Sequence, residues 1–63
     1  MRDPQLVEQE LIEIGAIPDD AVKFERLIAW SFTHPDEVAF AVQFLGGRSE
    51  HLGEWARRHM RAE

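Results

Sequence analysis

Cysteine is absent from this 63-residue chain, which removes disulfide staples and thiolate metal sites and leaves the redox compartment without a mark. No apolar run approaches the roughly 18–20 residues that cross a bilayer. The stretch "MRDPQLVEQELIEIG" carries carboxylates where a signal peptide has its apolar region, so a soluble, cytoplasmic protein without membrane contact is expected. There is no Gly/Ser tract or single-residue run. Apolar residues make up 44% of the chain, near the globular average, so it should fold. Positive charge is scarce as well: 7 Lys and Arg stand against 12 Asp and Glu, a net charge of −5. A protein that neutralises many phosphates usually carries a basic balance and a basic face, so nucleic acid is not the default partner.

What charge there is lies unevenly. Residues 1–22 hold Asp3, Glu8, Glu10, Glu13, Asp19 and Asp20 against Arg2, whereas residues 48–63 hold Arg48, Arg57, Arg58 and Arg61 against Glu50, Glu54 and Glu63. The chain has room for one domain, 1–63. A core of this size supplies no more than about 3–5 kcal/mol, which makes help from a partner an expectation.

Punctuation divides the chain into short helices, and an all-α fold follows: a compact bundle of three to four of them. "PQLVEQELIEI" has Asp3 as N-cap, Pro4 in the first turn and Gly15 as stop. Val7, Leu11 and Ile14 line one face, and Ile12 stands apart from them, either as a singly exposed aliphatic or as part of an interface. "PDDAVKFERLIAWSF" opens with Pro18 and two aspartates beside the positive end of the helix dipole. Phe24, Leu27, Ile28 and Ser31 form its stripe, flanked by Ala21 and Phe32. Trp30 falls off that stripe and either caps the core edge with Arg26 stacked on it or anchors an interface.

"HPDEVAFAVQFLGG" is harder, because Val38, Phe40, Val42 and Phe44 alternate as in a strand. Its ends belong to a helix. Thr33 or His34 can cap, Pro35 takes the first helical position, acidic residues follow and Gly46-Gly47 stops the run. No other segment alternates, so a strand would have no partner. As a helix it carries two stripes, Val38/Ala41/Val42/Leu45 and Phe40/Phe44, and a helix apolar on both sides is central to its fold or shared with another chain. "SEHLGEWARRHMR" completes the set, with Ser49 as N-cap and Leu52, Trp55, Ala56, His59 and Met60 inward; Gly53 weakens it by about 1 kcal/mol relative to alanine and permits close packing.

Catalytic constellations are missing. His34, His51 and His59 lack metal-ligand spacing, and Asp19-Asp20 and Asp36-Glu37 are explained by first helical turns, so no enzyme, cofactor or metal is expected. The preferred reading is a small acidic protein that acts through protein–protein interaction, as inhibitor, adaptor or accessory subunit, in a homodimer or a larger hetero-complex. It extends to an accessory protein of a phage or other mobile element that occupies a nucleic-acid-handling machine. Trp30, Phe40, Phe44 and Ile12 are the expected interface, and Glu8, Glu10 and Glu13 an acidic steering face. The alternative is a helix-turn-helix DNA-binding regulator within residues 36–61, its Arg57, Arg58 and Arg61 reaching phosphates. "ELIEIGAIP" resembles the first helix and glycine loop of ubiquitin-associated domains, with Ile14-Gly15 in the place of their Met-Gly; no binding residue is carried over from that likeness.

Overall fold

A computed structural model describes residues 2–60. Over this span the chain is an all-α bundle, with α1 at Pro4–Gly15, α2 at Asp20–Thr33, a 3-10 turn at Pro35–Glu37, α3 at Val38–Arg48 and α4 at Glu50–His59. The alternating segment is therefore helical. None of the described helices is long and apolar enough to cross a membrane.

Local chemistry explains most of the starts. The Asp3 carboxylate accepts from the Gln5 N–H at 2.9 Å, and Asp19 does the same for Ala21 and Val22 at 2.9 and 3.2 Å. Pro18 lies ahead of α2, not in its first turn, because Asp19 is the cap. Ser49 caps α4 through Leu52 N–H at 3.4 Å.

Two expectations fail at glycine and proline. Pro35 opens a 3-10 turn, and α3 begins only at Val38. Gly46-Gly47 does not stop α3, which runs through both glycines to Arg48; Ser49 alone, extended at φ −153°, separates it from α4. Neither glycine has positive φ. The cost of about 1 kcal/mol per helical glycine is offset by tertiary packing, since Gly46 lies against Gly53 where α3 and α4 cross. A Cβ built on Gly53 would sit 2.5 Å from the Gly46 Cα.

The core takes Val7 and Leu11 from α1, Leu27 and Trp30 from α2, Val38, Ala41 and Leu45 from α3, and Ala56 and Met60 from the end of the chain. The α3 stripe that faces inward is thus Val38/Ala41/Leu45, with Phe40 and Phe44 half-buried beside it. α2 is rotated relative to the stripe read from sequence. Trp30 turns in, whereas Ile28 and Phe32 turn out, the latter 81% exposed. At its other end Phe24 stacks on Trp55 of α4, ring centroids 4.6 Å apart and planes 12° from parallel. Phe24→Leu should keep the fold but lose about 0.5–1.5 kcal/mol of ring contact, read as a lower urea midpoint with an altered Trp55 near-ultraviolet signal. His59 is exposed, its ring 5.1 Å from that of Trp55.

Candidate functional site

α1 and α3 lie side by side and run the same way. Arg2, just before α1, reaches Glu37, just before α3. Glu8 shares a shallow hollow with Phe40, Gln43 and Phe44, and farther along Ile12 shares another with Leu45, Arg48 and Leu52. On the α3 side of this seam Phe40 and Phe44, one turn apart, have ring centroids separated by 6.2 Å and planes within 7°. The Arg48 guanidinium continues the row, 5.7 Å from the Phe44 ring centre. Three of the four residues expected at an interface, Ile12, Phe40 and Phe44, therefore border one seam.

Trp30 does not join them. It is 7% exposed, and its indole N–H donates to the Glu10 carboxylate at 2.9 Å, which places the ring in the core between α1 and α2 and leaves little of it for a partner. Its ring neighbour one turn on is His34, centroids 5.3 Å apart, so the cation–π contact expected with Arg26 is replaced by a hydrogen bond to a carboxylate.

That carboxylate belongs to a charged cluster. Glu37, 1% exposed, accepts from the Arg2 backbone N–H at 3.1 Å and from its guanidinium at 2.7 Å. Glu10 takes the other edge of the same guanidinium at 2.7 and 3.0 Å. Arg2 thus bridges two carboxylates, the bidentate geometry its planar fork favours. His34 sits beside both, Nδ1 3.6 Å from Glu37 and Nε2 3.9 Å from Glu10. The guanidinium, helped by the Trp30 indole N–H at Glu10, holds both carboxyls at about 2, far below the usual carboxylate range. This cluster was not legible in the sequence; Arg2 is the lone cation of an acidic segment, and that isolation was its only signal.

The acidic residues of α1 consequently point in different directions. Glu10 is engaged with Arg2 and Trp30, Glu8 is half-buried at the α3 seam, and Glu13 is exposed. Arg57 and Arg58 are exposed on α4, while Arg61 lies outside the described residues. The single-residue Ser49 joint between α3 and α4 differs from the three- to four-residue turn of DNA-binding helix-turn-helix units. No group of three or more His, Asp or Glu that could hold a metal ion occurs among the described residues. Phe32 and Ile28, one turn apart and both turned outward on α2, form an apolar patch, although the helical stripe in the sequence places both on the core side.

No protein-family model, curated protein or solved structure matches this chain. The likeness of "ELIEIGAIP" to ubiquitin-associated domains thus stays confined to that stretch.

Proposed function

We propose that this is a small cytoplasmic protein without catalysis of its own that works by contact with another protein chain, as an inhibitor, adaptor or accessory subunit. One observation carries the reading: the Phe40/Phe44 ring pair and the 40%-exposed Ile12 border a seam of shallow hollows between the parallel helices α1 and α3, bounded at its far end by Leu52 of α4. Aromatic rings held rigid beside hollows are the usual anchors of protein interfaces.

Phe44→Asp, Phe40→Asp and Ile12→Asp are expected to abolish association, read as solution mass and as proteins retained from a host extract, with far-ultraviolet circular dichroism unchanged. The variant at Ile12, the most exposed of the three, separates interface from core. If the phenylalanine variants unfold a monomeric chain and Ile12→Asp changes neither readout, the seam is structural and the reading fails.

A further inference from the structure

We infer that the α1/α3 seam is self-complementary and that its occupant is a second copy of this chain, paired about a two-fold axis. The inference rests on the interface reading above and adds the partner's identity.

The charges at the two ends of the seam point to this arrangement. Glu8 lies beside Phe40 and Phe44, toward the start of α3, and Arg48 lies past Phe44 at its end. Among the described residues neither has an ion pair: Arg48 is held over the Phe44 ring, and Glu8 makes no side-chain hydrogen bond. One face thus bears an uncompensated anion at one end, an uncompensated cation at the other, and an apolar row between. An isologous contact sets the same patch on both copies. With the axis near Phe44, the two α3 helices run antiparallel, the phenylalanines of one copy meet those of the other, and each Glu8 faces the other copy's Arg48. Both charge pairs form at once, and the helix dipoles oppose favourably.

A standard interface takes about 800 Å² from each partner, close to a fifth of the 4383 Å² this chain exposes. A domain of this size, with a marginal core, gains most from such cover.

The outward face of α2 is the rival. It carries Ile28 and Phe32 with Glu25 one turn before Ile28, and an antiparallel two-fold pairing centred on that row would set each Glu25 toward the other copy's Phe32, with no cation in the row to meet it. Its charge pattern is not self-complementary.

The test is light scattering from micromolar to millimolar protein at low salt, on the full chain and on Glu8→Arg, Arg48→Glu and Phe32→Ser. The full chain is expected to dimerise with increasing concentration. Glu8→Arg puts arginine against Arg48, and Arg48→Glu puts glutamate against Glu8, so each alone should raise the dissociation constant about tenfold or more. An equimolar mixture of the two restores both attractive pairs and should dimerise about as well as the unaltered chain, while Phe32→Ser leaves dimerisation unchanged.

A chain that stays monomeric to millimolar concentration overturns the second-copy inference. The protein-contact reading is then decided separately, by whether Phe44→Asp and Ile12→Asp lose proteins retained from extract. A dimer that ignores both charge reversals, is not restored by mixing, or is lost in Phe32→Ser overturns the inference by placing the contact elsewhere.

Discussion

Gly53→Ala is expected to destabilise the protein by about 1–3 kcal/mol, the cost typical of forcing a methyl into a packed interior, although alanine is the better helix former. The added carbon would lie 2.5 Å from the Gly46 Cα and 3.2 Å from its nitrogen. Both obstacles are backbone, so no rotamer change relieves them and the helices must move apart. The neighbouring glycines behave in the opposite way. A Cβ on Gly46 meets the Gly53 Cα at an ordinary 3.8 Å, and one on Gly47 meets nothing within 4 Å. Gly46→Ala and Gly47→Ala should therefore be neutral or stabilising by up to about 1 kcal/mol each. Thermal melts of the three variants check the contrast, with Tm moving about 4–8 °C per kcal/mol in a domain of this size. Equal effects at Gly46 and Gly53 would contradict the crossing geometry.

Removing the Arg2 side chain, as in Arg2→Met, should destabilise the protein strongly at neutral pH, with a loss that shrinks in acid. The substitution leaves Glu37, 1% exposed, as a buried charge without its counter-ion, the costly way to break a buried pair. In the intact protein the Glu10 and Glu37 carboxyls sit at about 2, against about 4.5 for an unperturbed glutamate. Because the folded value is the lower, their contribution is fully present above about pH 4.5 and drains away as the pH falls toward 2. Urea midpoints measured from pH 7 to pH 2 should thus fall in that window for the intact chain and change less there for Arg2→Met. Parallel curves would show that the guanidinium does not set the carboxyl affinities. Glu37→Gln, which leaves the half-exposed Arg2 free to meet water, should be the milder change at neutral pH.

Much of this architecture was written locally. Asp3 and Ser49 act as caps within three residues of themselves, so each is visible in a short window of sequence, whereas Asp19, read there as a first-turn residue, is the cap of α2. The helical identity of residues 38–45 followed from flanking residues and the lack of a strand partner. Misreadings came where distant residues decide. Gly46-Gly47 read as a stop because propensity is local, whereas the helix continues to place Gly46 against Gly53. Trp30 read as peripheral because on the helix it projects toward Lys23 and Arg26; the carboxylate that accepts its N–H lies twenty positions away. The same rotation exposed Phe32. At the seam, Ile12, Phe40 and Phe44 were identified singly, and only the parallel course of α1 and α3 brings them together. The opposed charges of Glu8 and Arg48 depend on that course and have no signature in the sequence.

The two contacts that decide the predicted stabilities also differ in how much chain each must close. Gly46 and Gly53 are joined by a single turn, so their approach fixes little chain beyond the helices that carry them. Arg2 and Glu37 stand 35 residues apart, and closing a loop five times longer costs about 1.4 kcal/mol more in chain entropy. The α3–α4 corner can therefore form while the first half of the chain is still unordered. The Arg2 clasp ties the start of α1 to the start of α3 across α2 and the 3-10 turn, so it acts as a latch between the two ends of the longer loop.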